Sequence, residues 1–336
     1  MMAGVIQISR TALEDCLRSF PVPRLRLQGD LSASDCYVVS AIDGCYELCI
    51  APMESAVLRQ TTADWAAASG FRRVQRPLQN LYDERLVPIQ EGRVAYLTRA
   101  WPGLGLAVTP DDVRLAAENL AFLHSALDGA GARLESLSTR RPRYGAWLSQ
   151  FQHGLDFLER TRVHLLGRED LRRDQLQLDW LARWQDLAEQ AVERLRQVGY
   201  RELAETARQK KSVAWNGYHL NSLRRLPDGQ VATLLTADPV LDDALYDLAC
   251  LCRDVAEAGH AEGVADALTW YHGIHPLSRE QAEMVRAFAA YPHLGVRMAK
   301  TWSQAGKPEP ESTVSWRKAA ESHHDCAQCL LAGESM

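Results

Sequence analysis

The feature that most constrains the fold of this chain is a change of hydrophobic periodicity near residue 105. Between residues 24 and 100, apolar and polar residues alternate in short runs separated by turn signals, such as the Asp-Gly pair at 43–44. From residue 109 onward the apolar residues recur at helical spacing. A chain with this pattern separates a small sheet from a large helical region.

The pattern therefore predicts an α+β fold of two lobes. Residues 1–100 form the first lobe, with a sheet of about five strands and a helix over 54–71. Residues 101–108 link the lobes, and residues 109–336 form a helical lobe. Within it, the polar and basic segment 131–143 predicts an exposed loop. A chain of 336 residues is long enough for a core in each lobe.

Composition argues against several kinds of partner. The formal net charge of −5 does not favour nucleic acid or an anionic membrane surface. No apolar run is long enough for a transmembrane helix, and the N-terminus lacks the basic and then apolar pattern of a secretory signal. We therefore expect a cytoplasmic protein without membrane insertion.

The chain has eight cysteines, too few for a disulfide scaffold at this length. Without an export signal, the sequence predicts reduced, mostly buried thiols. Cys326 and Cys329 belong to the segment HHDCAQC, together with His323 and His324. Zinc sites use such spacing, but a structural site needs four well-placed ligands. We expect a polar helix end here, and metal binding by these four residues stays an open alternative.

A second candidate cation site is the acidic segment that contains Asp238, Asp242 and Asp243. Carboxylates in this number could hold a cation. Because the segment lies just before an apolar helix, a solvated loop with acids near a helix N-terminus is the interpretation we prefer.

Several short segments, in order and at suitable spacing, resemble the aminoglycoside phosphotransferase and choline kinase superfamily. RAWPGLGL at 99–106 resembles the hinge between the lobes. LAAENLAFLHSALDG at 115–129 resembles the helix that follows, and PVLDDALYDLACL at 239–251 the segment after the magnesium loop. The helical insert, YGAWLSQF at 144–151 and the Gly-Tyr pair at 199–200 resemble most the CotS-type branch, which is associated with the spore coat. The resemblance implies a bilobal, protein-kinase-like fold.

The resemblance also implies a chemistry of phosphoryl transfer from ATP with Mg²⁺, which depends on one lysine, two aspartates and one asparagine. The lysine position holds Cys49 in this sequence. The catalytic aspartate of the loop aligned with WNGYHLNS falls on Gly217, and the metal-binding asparagine falls on Ser222. The metal-binding aspartate falls on Leu235 or, with a slip of one residue, on Thr236.

Other positions that the resemblance aligns with functional residues of the family still carry a polar or ionisable side chain. His219 keeps its type; it supports the loop in the family, but it could act as a base. Asn221 could replace Ser222 if the loop is shifted by one residue, although a loop-stabilising amide is the simpler interpretation. Asp238 matches the second acid of the metal loop. Asp247 resembles the residue that supports the catalytic loop from the helix behind it, and we expect it to be buried and to accept hydrogen bonds from the backbone of residues 215–222.

The resemblance implies two further parts of a nucleotide site, a loop over the phosphates and the hinge. Residues 29–34, GDLSAS, align with the loop that covers the phosphates, but they contain one glycine, and Asp30 with the following Asp35 would repel phosphate. The implied hinge contacts are Arg99, Ala100 and Trp101.

These observations lead to three hypotheses. The first is a catalytically silent kinase-like protein, a pseudokinase without cofactor, that binds or assembles protein partners and is associated with the bacterial spore coat through the CotS resemblance. The second is an active phosphotransferase that uses ATP and Mg²⁺ with a relocated set of His219, Asn221 and Asp238. The third is a protein that keeps the substrate pocket and binds a ligand without nucleotide.

Overall fold

The computed structural model describes residues 8–28, 35–90, 92–167, 171–305 and 310–332. The first lobe is an antiparallel sheet of five strands in the order β1-β2-β3-β5-β4, with two helices. Its elements are α1 (Arg10–Arg18), β1 (Arg26–Leu27), β2 (Cys36–Ala41), β3 (Gly44–Pro52), α2 (Met53–Ala68), β4 (Val87–Gln90) and β5 (Arg93–Arg99). The five-stranded sheet predicted from the alternating pattern is confirmed.

The sheet is held by apolar residues on both of its faces and by its hairpin register. Leu48 and Leu97 lie opposite each other on β3 and β5, and both pack with Leu13 and Leu17 of α1 in one fully covered cluster. The β2–β3 hairpin turns at residues 42–43 and sets Cys36 directly opposite Cys49.

The second lobe is mostly helical and carries two small sheets, β6-β8-β9 and β7-β10. Its elements are β6 (Leu104–Gly105), α3 (Pro110–Leu127), α4 (Gly131–Leu137), α5 (Ala146–Leu166), α6 (Leu171–Gln197), α7 (Tyr200–Gln209), β7 (Val213–Ala214), a 3₁₀ turn (Leu220–Ser222), β8 (Leu223–Arg225), β9 (Val231–Thr233), β10 (Val240–Leu241), α8 (Leu245–Glu257), α9 (Ala261–His272), α10 (Arg279–Ala290), α11 (His293–Ala305) and α12 (Pro310–Ala332). The helical lobe predicted from the sequence pattern is confirmed.

Helix α3 begins the helical lobe for local reasons. The Thr109 hydroxyl accepts a hydrogen bond from the backbone N–H of Asp112 at 3.3 Å, and Pro110 stands at the first helical position. Both features favour a helix start. The apolar face of the helix, including Val113 and Leu120, is buried in the main core.

The chain passes from one lobe to the other through a tight segment. Gly103 has φ +140°, and a Cβ atom there would overlap the carbonyl oxygen of Arg225. Glycine is thus needed both for the backbone conformation and for the close contact with β8.

The segment 131–143, predicted as an exposed loop, begins instead with helix α4, and only residues 138–143 are irregular. Leu134 explains the helix, because its side chain is buried in the main core. In the described part of the chain, no helix combines the length and apolar character needed to cross a membrane.

Candidate functional site

The candidate site is built around the loop that follows β7. Asp247, at the start of α8, is 0% exposed. Its Oδ2 accepts a hydrogen bond from the backbone N–H of Trp215 at 2.5 Å, and its Oδ1 accepts one from the N–H of Asn216 at 2.8 Å. Asn216 has φ +64°, a left-handed conformation that asparagine tolerates better than most residues. These are the backbone contacts that the sequence predicts for Asp247.

Gly217, which the resemblance aligns with the catalytic aspartate, has no room for a side chain. A Cβ atom there would lie 2.7 Å from Thr236 Oγ1 and 3.0 Å from Ala237 Cβ. The Thr236 hydroxyl donates a weak hydrogen bond to the Gly217 carbonyl at 3.3 Å. The loop and the segment after β9 are therefore packed directly against each other where the family places a carboxylate.

Ser222 and Leu235, at the two metal-ligand positions, are both buried. The Ser222 hydroxyl donates to the His219 carbonyl at 2.8 Å and accepts from the His219 N–H at 3.0 Å. It closes the 3₁₀ turn and faces its own backbone. Leu235 contributes an apolar side chain to the core and uses only its N–H, which donates to Gln75 Oε1 at 3.0 Å.

Cys49, at the lysine position, forms a disulfide with Cys36. The prediction of reduced thiols is wrong for this pair. The reason is the strand register, which places the two residues directly opposite each other on neighbouring strands, with Cα atoms 4.1 Å apart. The other described cysteines are free, and Cys45 and Cys329 are the exposed ones among them.

Asp238 lies in an ion cluster between the lobes. Its Oδ2 accepts a hydrogen bond from the Ser55 hydroxyl at 2.8 Å, and its Oδ1 accepts one from Arg59 Nε at 2.6 Å. The guanidinium of Arg140 pairs with Oδ2 at 2.5 Å. Burial alone would raise the pKa of Asp238, but the Ser55 hydrogen bond and the two guanidiniums outweigh it and hold the pKa below its ordinary value.

The members of this interlobe ion cluster (Ser55, Arg59, Arg140 and Asp238) come from three parts of the chain. Ser55 and Arg59 are four residues apart on α2 of the first lobe, while Arg140 belongs to the 138–143 loop of the helical lobe. Next to the cluster, Glu54 on α2 accepts a hydrogen bond from the Thr139 N–H at 2.7 Å. The cluster therefore ties the two lobes together.

The preference for a solvated acidic loop is wrong for all three acids. The side chain of Asp238 is 11% exposed and ion-paired. Asp242 and Asp243 are buried, because β10 pairs with β7 and α8 starts inside the core. Burial raises the pKa of Asp242 to about 7, although Arg143 at 3.3 Å opposes the shift, and raises that of Asp243 to about 6.

The residues of the alternative catalytic set do not meet. His219 Nδ1 lies 3.2 Å from Asp254 Oδ2 on α8, whereas Asp238 faces α2. Asn221 is exposed, and its carbonyl accepts a hydrogen bond from Arg224. Within the described ranges, no hydrogen bond or ion pair joins any two of His219, Asn221 and Asp238.

The hinge segment that the resemblance places beside the nucleotide is described in full, whereas the segment that would cover the phosphates is not. The Ala100 N–H donates to the Cys45 carbonyl at 3.0 Å, which fixes the hinge to β3. Arg99 and Trp101 line a hollow of about 350 Å³. Residues 29–34, with Gly29 and Asp30, lie outside the described residues. Asp35 is exposed and pairs with Arg93 at 2.8 Å.

The HHDCAQC segment lies on α12 and is not simply a polar helix end. His323 is buried, with Nε2 3.2 Å from the Ala289 carbonyl oxygen, and Cys326 is buried beside it. His324 is half-buried and Cys329 exposed. The preference for a polar end is wrong for the first two because α12 packs on α10 and α8. No group of three or more His, Cys, Asp or Glu side chains in the described ranges is arranged to hold a metal ion.

Sequence reasoning missed Arg59, Arg140 and Asn216. Arg59 follows Ser55 at a spacing of four residues, which places both on one helix face. That spacing could have pointed to a shared contact, but not to its partner 179 residues away.

No family model and no curated protein matches this sequence, but solved structures do match the fold. An aminoglycoside phosphotransferase from Alicyclobacillus acidocaldarius superposes with a TM-score of 0.74 and 17% identity, over 94% of this chain and 93% of that one. The amicoumacin kinase hAmiN, in complex with AMP-PNP and Ca²⁺, gives a TM-score of 0.60 at 11% identity, over 94% and 93%. A spectinomycin phosphotransferase, in complex with ADP and spectinomycin, gives 0.60 at 9% identity, over 98% and 99%.

The TM-scores establish a shared architecture, while identities this low leave the activity open. The small antiparallel sheet, the hinge and the helical lobe follow the same course along nearly the full length of each compared chain. The chain therefore has the bilobal fold of the aminoglycoside phosphotransferases and related kinases.

Proposed function

We propose that this protein is a catalytically silent member of the kinase-like fold that works as a binding or assembly module. One observation carries the proposal: each position that would hold Mg·ATP is occupied by a group already engaged elsewhere or lacking donor atoms. Cys49 is bonded to Cys36, and Gly217 is enclosed by Thr236 and Ala237. Ser222 is used in its own turn, and Leu235 is apolar and buried.

The residues present do not fit Mg·ATP at these positions. Mg²⁺ requires oxygen ligands in near-octahedral geometry, and neither a leucine side chain nor a hydroxyl that already makes two hydrogen bonds supplies them. Asp238 is the carboxylate that could be recruited, but Arg59 and Arg140 already neutralise it. Freeing it would leave the mostly buried guanidinium of Arg59 without its carboxylate, which costs more than breaking an exposed ion pair does.

The test is a thermal-shift experiment with ATP and with ADP, with and without Mg²⁺, on the full chain and on an active phosphotransferase as positive control. A ligand at 100 times its dissociation constant stabilises a protein by about 2.7 kcal/mol. We expect the nucleotides to raise the melting temperature of the control protein accordingly and to leave that of this chain unchanged.

Ala100→Trp and Ala332→Trp make the outcome specific to the cleft. The first substitution enlarges a half-buried hinge residue, and the second adds the same side chain to an exposed position on α12. A Mg²⁺-dependent rise in melting temperature that is lost in Ala100→Trp and kept in Ala332→Trp would refute the silent site.

The assembly role and the spore coat setting are the finer part of the proposal, and the CotS resemblance supports them. A fluorescent fusion of the full chain, expressed in its native host, tests the setting. We expect the fusion to accumulate at the spore coat during sporulation. An even distribution through the cytoplasm of sporulating cells would contradict this part alone and leave the silent site standing.

A further inference from the structure

A partly open hollow lies in the helical lobe, behind the 215–222 loop. Its volume is about 220 Å³. Its walls come from the end of α3, the Lys210–Ser212 segment, the start of α8 and the end of α9. His124 forms part of the wall. Its Nε2 lies 3.4 Å from Oδ2 of Asp247, the residue that supports the 215–222 loop. No member of the interlobe ion cluster lines the hollow, so it is separate from the cleft.

The inner wall carries a buried carboxylate with an unused oxygen. Asp243 is 8% exposed, and its Oδ1 accepts a hydrogen bond from the Leu245 N–H at 3.0 Å. Among the described residues nothing donates to Oδ2. Oδ2 keeps contact with solvent and Asp243 lines the hollow, so a cation or N–H donor from a ligand can replace water at this oxygen.

A second unused polar atom lies on the same wall. His275 Nδ1 is 3.3 Å from the Ser125 hydroxyl, and its Nε2 has no hydrogen-bond partner in the described part of the chain. Burial and the neighbouring His124 lower the pKa of His275, so a neutral ring offers this nitrogen. The Tyr271 hydroxyl is already paired, 2.7 Å from His124 Nδ1.

The rim carries charges of both signs. Lys210 is exposed and has no ion pair among the described residues, whereas its neighbour Lys211 pairs with Glu135. Asp128 is the exposed acid of the rim. The hollow thus runs from a buried anion to an unpaired ammonium at its mouth.

We propose that this hollow binds a small aminocarboxylate, with the ligand ammonium on Asp243 and the ligand carboxylate on Lys210. A ligand that carries only a positive charge would be repelled by Lys210 at the mouth and would leave that lysine unused. A ligand that carries only a negative charge would be repelled by Asp243 inside the hollow. The volume corresponds to about seven waters at roughly 30 Å³ each, so the ligand has fewer than about ten non-hydrogen atoms. The proposal is independent of whether the kinase-like cleft is silent.

The test uses calorimetry and thermal shift on the full chain with glycine, β-alanine and 4-aminobutyrate at millimolar concentration. We expect saturable binding of at least one of them. Methylamine and acetate, which carry the two halves of the ligand separately, should each bind at least about tenfold more weakly, because each forfeits one charge-assisted hydrogen bond.

Variants locate the binding. Lys210→Gln should weaken it by about tenfold, while Lys300→Gln, an equally exposed lysine on α11, should not change it. Asp243→Asn should abolish binding. Because that residue is buried, Ala207→Leu provides a second route: Ala207 lines the hollow, and the larger side chain fills it without touching Asp243.

Three results would overturn the proposal. The first is the absence of saturable binding for all three aminocarboxylates. The second is binding that survives unchanged in both Lys210→Gln and Ala207→Leu, since the ligand would then sit elsewhere. The third is methylamine binding as tightly as the aminocarboxylates, since the carboxylate end would then contribute nothing.

Discussion

Replacing Asp247 by alanine should destabilise the fold more than any other single change in the candidate site. The side chain is fully buried, and it accepts two backbone hydrogen bonds, from Trp215 and Asn216. Hydrogen bonds to a charged group contribute about 1.5–3 kcal/mol each. Alanine also leaves two buried N–H donors without an acceptor, and we expect a total loss of about 3–5 kcal/mol.

Urea unfolding and thermal unfolding both measure this loss. For 336 residues, an unfolding entropy of about 2.1 cal/mol/K per residue gives about 0.7 kcal/mol/K, so the melting temperature should fall by about 4–7 °C. Asp238→Ala should cost less, because Arg140 is 44% exposed and can be solvated when its partner is lost.

Asp266→Ala is the matched control, since Asp266 is an exposed acid on helix α9 and should change stability by at most about 0.5 kcal/mol. If Asp247→Ala unfolded at the same urea concentration as Asp266→Ala, the loop would not depend on this carboxylate, and the reasoning from its buried hydrogen bonds would be refuted.

Three further predictions concern crowding, pH and thiols. Gly217→Ala should lower the free energy of unfolding in urea by about 1–3 kcal/mol, because its Cβ would crowd Thr236. In the control Gly273→Ala the Cβ would have no neighbour nearer than 3.6 Å, and we expect little loss of stability. Equal losses in the two variants would contradict tight packing at the loop. Burial raises the pKa of Asp242 from 3.8 to about 7, so its protonated form stabilises the fold below about pH 4 and this contribution is lost as the pH rises through about 7. Asp242→Asn should therefore gain stability relative to the parent between about pH 4 and 7, and a difference that stays constant with pH would contradict the shift. Thiol titration of the denatured, unreduced chain should find six free thiols, the eight cysteines less the Cys36–Cys49 pair, and eight would show that the disulfide does not form.

The fold could be predicted largely from the sequence because its signals are local. Alternation in residues 24–100 reflects strands whose successive side chains lie on opposite faces of a sheet, and the Thr109–Pro110 start of α3 depends on neighbouring backbone groups. The alignment of Cys49 and Gly217 with family functional positions is a prediction from motif spacing, which needs no knowledge of contacts.

The candidate site was only partly predictable. Asp247 was, because an acid surrounded by apolar residues in the first turn of a helix must find hydrogen-bond donors. The partners of Asp238 were not, because Arg59 and Arg140 lie 179 and 98 residues from it and resemble ordinary surface arginines. The disulfide was missed for a related reason: the Cys36–Cys49 pairing depends on hairpin register.

The sequence by itself determined the two-lobe division and the element types. These depend on residue identity and on periodicity over a few turns of chain, which short-range sterics and hydrogen bonding convert into structure. Tertiary structure alone decided that Asp242 and Asp243 are buried, that Asp238 joins the lobes through two arginines, and that Gly217 has no space beside it. Those outcomes depend on which distant segments pack together, and the free energy of packing is a property of the assembled core that no local pattern contains.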